Sequence, residues 1–200
     1  MSIVVSIDHY RRRRLVPPLV FVELQENQLS RNSAVAAAET VTVLNRCRLL
    51  LDYARSNGWP LGFVGARCGK RKRCGISWIE GFEPRRNDMV FERTDASCYT
   101  NREFADAMTV AGSVFVLAGF AGERTCLATV MDTARNGHQA GLIEDATTAG
   151  GLPGLSVAES HRAMVAIASQ YATIVTARRW MEVAGTVQSQ LEPTYDIGRP

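Results

Sequence analysis

The chain has 200 residues, of which 46% are hydrophobic and 22% charged, and its formal net charge is +3 at pH 7. This length and composition predict one globular domain over residues 1–200 with a sizeable core. The small net charge argues against a nucleic-acid partner, and the basic runs at 11–14 and 67–73 are expected to be solvated surface.

Five cysteines, an odd number, show no spacing typical of a secreted disulfide framework, which favours a reducing cytoplasm. They are Cys47, Cys68, Cys74, Cys98 and Cys126. Residues 11–22 resemble the start of a signal peptide, but Glu23 and Glu26 interrupt the apolar stretch. We therefore predict no targeting segment and no membrane span.

Strand-like apolar runs alternate with helical patterns along the chain, which predicts an α/β fold with a mainly parallel sheet and helices on both faces. The expected strands cover residues 19–22, 61–64, 89–92, 113–118, 139–144 and 172–175. Helices are expected before residues 58–60, over 101–111, from Cys126 to about 136, over 157–169 and briefly around Trp180. We expect an irregular tail from about Gln188, in a three-layer α/β/α (Rossmann-like) domain with a six-stranded parallel sheet.

One cysteine lies where a strand passes into a helix. A Gly-rich turn follows the apolar run 113–118, and Leu127, Val130 and Ala134 then recur at helical spacing, which places Cys126 in the first helical turn. The positive end of a helix lowers the pKa of a thiol, and its free amides can bind an oxyanion. A small buried core thiol would give the same local pattern.

Three reactive side chains come directly after predicted parallel strands. Glu23 follows the first strand, Arg93 the third and Cys126 the fourth, so all three are expected at the carboxyl edge of the sheet. A carboxylate there can accept a thiol proton, and a cation can stabilise the ions. A purely structural Glu23–Arg93 ion pair is the alternative.

Three motifs resemble the isochorismatase-like cysteine hydrolase family. They are LVFVELQ at 19–25, DMVFERTDASCY at 88–99 and GFAGERTCLAT at 119–129, with further matches at 144–146 and 160–176. The resemblance covers about residues 20–180. It implies that Cys126 is the nucleophile, that Glu23 replaces the family's aspartate as general base, and that Arg93 replaces its lysine.

The resemblance also implies the remaining site residues. The backbone amides of Gly122 and Cys126 would form the oxyanion hole, next to a cis Ala121–Gly122 peptide, although one residue more than usual separates Gly119 from Cys126. Gln25 and Tyr99 would bind substrate; a turn amide and a packed aromatic ring explain these two equally well.

A metal site found in some relatives needs an aspartate and two histidines after the second strand. This chain has histidines at 9, 138 and 161 only, so neither a metal nor another cofactor is expected. The resemblance implies a structural role for His161.

The resulting prediction is a cytoplasmic cysteine-dependent hydrolase that cleaves a small amide-like substrate through a thioester. The resemblance implies a homo-oligomer, a dimer or tetramer, with sites near subunit contacts. Two alternatives stay open: a catalytically silent member used for binding or assembly, and a vinyl-ether hydrolase of isochorismate type.

Overall fold

A computed structural model describes residues 16–29, 34–66 and 77–191, without the side chains of 34–38 and 186–191. The basic runs at 11–14 and 67–73, the signal-like residues 11–15, and Cys68 and Cys74 lie outside the described residues.

A six-stranded parallel sheet forms the centre of the molecule, as predicted. Its strands are β1 Leu19–Val22, β2 Leu61–Ala66, β3 Met89–Arg93, β4 Val114–Gly119, β5 Gln139–Thr147 and β6 Thr173–Val175, in the spatial order β3-β2-β1-β4-β5-β6. The order reverses between β1 and β4, where Val22 pairs with Gly119. In sheets of this kind, the crevice beyond such a reversal is where ligands bind.

Helices cover both faces of this sheet. They are α1 Glu26–Leu29, α2 Ala34–Ser56, α3 Arg102–Val110, α4 Leu127–Thr133, α5 Val157–Ala168 and α6 Ala177–Leu191, and a wide helical turn, Gly122–Cys126, precedes α4. None of the helices in the described segments is long and apolar enough to cross a bilayer.

The end of the chain differs from the sequence-based expectation. The last helix, α6, is 15 residues long rather than short, and it extends through Leu191. The predicted irregular tail from Gln188 is therefore wrong for residues 188–191, while residues 192–200 lie outside the described part. No proline interrupts 177–191, so the backbone hydrogen bonds of the helix can continue.

Alternate residues of β1 supply two separate cores. Leu19 and Phe21 join the core under α2 and α6, where the rings of Trp59 and Trp180 meet edge to face at 4.9 Å. Val20 and Val22 point to the opposite face and join the core under α3, α4 and α5. Cys126 belongs to this second core, so the thiol is packed among apolar side chains.

Candidate active site

The carboxyl ends of β1, β3 and β4 hold the three residues predicted to carry the chemistry. Glu23 directly follows β1, Arg93 is the last residue of β3, and Cys126 ends the helical turn that follows β4. Their placement follows from the parallel sheet, since strands that run in one direction end at one edge.

The two charged side chains form a buried ion pair. Arg93 Nε donates to Glu23 Oε1 at 2.7 Å, and the two side chains are 6% and 0% exposed. Arg93 Nη1 also donates to the carbonyl of Asp95, which fixes the guanidinium plane. A charge-assisted hydrogen bond in such a dry site is strong, and removal of either partner would leave the other charge buried and unpaired.

A second donor, which the sequence analysis missed, reaches the other carboxylate oxygen. Gln28 Nε2 donates to Glu23 Oε2 at 2.6 Å, and Gln28 is itself buried. It lies on the single turn of α1, five residues after Glu23. Nothing in the helical or strand periodicity distinguishes Gln28, and the only available signal was its closeness in sequence to a predicted catalytic carboxylate.

The backbone at Glu23 is bent sharply. Its φ is +58°, in the left-handed region that residues other than glycine rarely adopt. The Glu23 N–H still donates to the carbonyl of Val64 at 2.8 Å, as a continuation of β1, while its carbonyl accepts from the Gln25 N–H at 2.7 Å. The strand therefore ends at Glu23, and the bend turns the chain towards α1.

Cys126 is deeply buried, and burial opposes the acidity expected from its position at a helix end. The residue is 1% exposed, and Sγ lies 4.0 Å from the carbonyl oxygen of Phe120. Burial raises the pKa of the Cys126 thiol well above its ordinary value, and the nearby Cys98, Glu123 and Glu23 raise it further. The helix end favours a thiolate, but the loss of solvation outweighs that effect.

A second thiol lies close to the charged pair. Cys98 is fully buried, and burial raises its pKa to about 12 in spite of the hydrogen bond from Thr129 and the charge of Arg93. The Cys98 N–H donates to Thr129 Oγ1 at 3.0 Å. Burial thus favours the protonated form of both thiols of the second core.

The turn before Cys126 differs from the expected oxyanion hole. The Ala121–Gly122 peptide is trans, so the predicted cis bond is wrong, and Ala121 instead has a φ of +55°. The Gly122 N–H donates to the carbonyl of Thr148 at 2.9 Å, and the Cys126 N–H points to the carbonyl of Ala121 at 3.4 Å. Both proposed oxyanion donors therefore have an acceptor within the protein.

Two glycines allow this turn to pack closely. At Gly119 the φ is +119°, and a Cβ would lie 2.2 Å from the carbonyl oxygen of Val22 on β1. At Gly122 a Cβ would lie 2.8 Å from the methyl group of Met164 on α5. The close approach of β4 to β1, and of the turn to α5, thus depends on the missing side chains.

Gln25 and Tyr99, which the resemblance implied as substrate-binding residues, each make a side-chain hydrogen bond within the protein. Gln25 is buried, and its Oε1 accepts from the Ala66 N–H at 2.9 Å, which ties the end of β1 to the end of β2. The Tyr99 hydroxyl bonds to Nδ1 of His138 at 2.8 Å. Because His138 precedes β5, that hydroxyl lies towards the amino ends of the strands, away from Glu23.

A cavity of about 460 Å³ lies beyond the carboxyl end of β5, next to the turn rather than over the ion pair. It is lined by residues of α2, β5 and α5 and by the residue that follows β5, namely Glu39, Thr42, Val43, Glu144, Asp145, Thr147, Thr148, Ala158, His161 and Arg162. Nδ1 of His161 is buried there, and has no hydrogen-bond partner in the described part of the chain. Across the described ranges, no group of three or more His, Cys, Asp or Glu side chains could hold a metal ion.

Comparison with known proteins gives one family. The family described as "Isochorismatase: Isochorismatase domain" matches residues 17–179. A search of curated proteins found no match.

Solved structures share the fold at low sequence identity. An isochorismatase from Pseudomonas putida KT2440 is 19% identical with a TM-score of 0.70, covering 88% of this chain and 99% of that one. A cysteine hydrolase from Pseudomonas syringae pv. phaseolicola 1448A is 15% identical with a TM-score of 0.72, covering 86% and 94%. An isochorismatase-like hydrolase from Alkaliphilus metalliredigens is 11% identical with a TM-score of 0.70, covering 84% and 98%.

Proposed function

Because the chain belongs to the isochorismatase family, which supports a hydrolase function, we propose that it is a cysteine-dependent hydrolase of a small amide-like substrate. Cys126 is the nucleophile, Glu23 the general base and Arg93 the cation that holds the base in place. The observation that carries this proposal is the buried Glu23–Arg93 ion pair at the sheet edge that also holds Cys126.

The raised pKa of Cys126 makes a base necessary in this proposal. A thiol that is neutral at pH 7 attacks a carbonyl poorly unless its proton leaves as the sulfur–carbon bond forms. Glu23 is the carboxylate of the ion pair, and its charge is among the causes that raise the pKa of the Cys126 thiol. Transfer of the thiol proton to Glu23 creates no additional charge, because the carboxylate becomes neutral as the sulfur becomes negative.

The proposed reaction balances in two steps. Cys126 Sγ attacks the amide carbon as its proton moves to Glu23, and the C–N bond then breaks as Glu23 returns that proton to the leaving nitrogen. This gives an amine and a thioester on Cys126. Water then adds to the thioester carbon, and the carboxylic acid leaves as the sulfur regains a proton.

An oxyanion formed in these steps needs donors that are free to bind it. The Gly122 N–H donates to the carbonyl of Thr148, so in this proposal the turn must release that bond, or another donor must replace Gly122. The same observation, together with the 1% exposure of Cys126, favours a second candidate function. In that candidate the protein is catalytically silent and serves in binding or assembly.

We further propose a cytoplasmic location and a homo-oligomer, a dimer or tetramer, with a small molecule as the substrate. Sedimentation of the purified chain at several concentrations would measure the assembly. Oligomers that persist on dilution support the proposal, and a monomer at every concentration contradicts it.

The test of function is a hydrolysis screen with matched variants. Amides, carbamates, ureas and an isochorismate-like vinyl ether are incubated with the natural protein, with Cys126→Ala and with Glu23→Gln. The proposal predicts cleavage of a C–N substrate that both variants lose. Vinyl-ether cleavage that survives Cys126→Ala supports the isochorismate-type alternative, and no cleavage of any compound supports the silent one.

A further inference from the structure

The side chain of Glu23 is long for a carboxylate held between two strand ends. It has three rotatable bonds, and one hydrogen bond to Oε1 would leave the carboxylate free to pivot around that contact. Two donors fix the plane of the carboxylate. In this structure the second donor is Gln28, whose Nε2 lies 2.6 Å from Oε2.

Gln28 is itself held in place. It is 8% exposed, and its N–H donates to the carbonyl of Gln25 at 3.0 Å on the single turn of α1. Gln25 in turn is tied to β2 through the Ala66 N–H. The amide that reaches Glu23 is thus fixed by the same chain bend that follows β1, and it is independent of Arg93 on β3.

We infer that Gln28 is a positioning residue that adapts the longer Glu23 side chain to its task as the base for Cys126. With both oxygens held by donors, each keeps a further acceptor position for the thiol proton. Without Gln28 the carboxylate keeps its charge partner Arg93, but loses the contact that sets its orientation. The inference rests on the proposed function.

A shorter carboxylate at position 23 should make the Gln28 amide unnecessary for positioning the base. Glu23→Asp withdraws the carboxylate by one methylene, so the 2.6 Å contact to Gln28 cannot persist unless the Gln28 side chain or the backbone moves. The loss of activity on removing the Gln28 amide must then differ between the protein with glutamate at position 23 and the Glu23→Asp variant. A double-mutant cycle measures that dependence.

The experiment uses Gln28→Met, Glu23→Asp and the double variant, because methionine has nearly the length of glutamine and no donor. On a substrate whose cleavage Cys126→Ala abolishes, Gln28→Met should lower kcat by about tenfold and leave KM within about twofold. In the Glu23→Asp background the same change should alter kcat by less than about twofold. Equal losses in the two backgrounds, or an unchanged kcat in Gln28→Met, would overturn the inference.

A second measurement decides the matter even if no substrate is found, so failure of the proposed function and of this inference can be told apart. The rate of Cys126 alkylation by iodoacetamide at pH 8, mapped by mass spectrometry, reports how readily Glu23 accepts the thiol proton. Gln28→Met should slow the alkylation of Cys126 by about tenfold. In the Glu23→Asp background, the same change at Gln28 should leave the alkylation rate unaltered.

Ser160→Ala serves as the matched control in both experiments. Ser160 is fully buried and accepts from the Leu152 N–H at 2.9 Å, so its loss also breaks a buried hydrogen bond, but far from the base in sequence. It should lower stability without changing the alkylation rate. If Ser160→Ala changes the alkylation rate, in either direction, as much as Gln28→Met does, the rate follows general loosening of the core, and the assigned role of Gln28 is wrong.

Discussion

The two halves of the candidate site are built differently. The charged half, Glu23 with Arg93 and Gln28, is a closed set of side-chain hydrogen bonds between strand ends. The thiol half, Cys126 with its turn, is held by backbone hydrogen bonds and by packing in an apolar core. The comparison teaches that the charged half holds its carboxylate between two side-chain donors, whereas in the thiol half both amides proposed as oxyanion donors already have acceptors within the protein.

The largest expected effect comes from breaking the charged half. Arg93→Met leaves the Glu23 carboxylate buried without its cation and should lower the free energy of unfolding by about 3–5 kcal/mol. Arg93→Lys keeps the positive charge and should lower the free energy of unfolding by much less. Urea unfolding at pH 7 measures both. Equal, small losses would mean that the pair is weakly coupled, and would remove the contrast between the halves.

The close contact between the end of β4, which leads to the turn before Cys126, and the end of β1, which leads to Glu23, depends on Gly119. Gly119→Ala places a Cβ against the carbonyl oxygen of Val22 at a φ of +119°, and should lower the free energy of unfolding by about 3 kcal/mol. Gly137→Ala is the control, since Gly137 also has a positive φ, +69°, but no atom within 4 Å of the added Cβ. It should lose only about 1 kcal/mol. Similar losses at the two sites would show that the contact with β1 is unimportant.

Alkaline pH should act on the buried thiols of both cores, including that of Cys126 in the thiol half. Burial raises the pKa of Cys98 from an ordinary value of 9.0 to about 12, and it also raises the pKa values of Cys47 and Cys126 well above 9.0. Above pH 9 the unfolded thiols release their protons while the folded ones keep them, so stability is complete below pH 9 and is lost as pH rises towards 12 and beyond. Each thiol contributes a slope of up to about 1.4 kcal/mol per pH unit.

Cys47→Ala tests this account, because it removes one of these thiols from the core under α2. The fall in unfolding free energy between pH 9 and 10.5, measured in urea, should become shallower by up to about 1.4 kcal/mol per pH unit. An identical slope in the variant would contradict the raised pKa.

Much of the fold followed from the sequence, and so did the placement of Glu23 and Arg93, but not that of Gln28. Apolar runs gave the six strands, and parallel strands bring residues that follow them, such as Glu23 and Arg93, to one edge. The burial of Cys126 did not follow from the sequence, because cysteines occur both in active sites and in apolar cores. The position of Cys126 at a helix end also does not show whether desolvation or the helix dipole has the larger effect on its pKa. The backbone acceptor for Gly122, Thr148, depends on the long β5, which the periodicity ended early at 144.

The smallest expected effect sharpens the description of the turn. Ala121 has a φ of +55°, a conformation that costs an alanine about 1–2 kcal/mol relative to glycine. Ala121→Gly should therefore raise the free energy of unfolding by up to about 1 kcal/mol, less the entropy that glycine gains when unfolded. Thermal unfolding measures it. A clear loss of stability would mean that the left-handed turn at Ala121 is not the native one.

The central claim, that Glu23 activates Cys126 as a nucleophile, is tested most directly by trapping the acyl-enzyme. The protein is mixed with a cleaved amide, quenched in acid during turnover, and digested for peptide mass mapping. The account predicts an acyl group on the peptide that contains Cys126 in the natural protein, and none in Glu23→Gln. Continued turnover with no acyl group on Cys126, or with the same acyl group in Glu23→Gln, would contradict it.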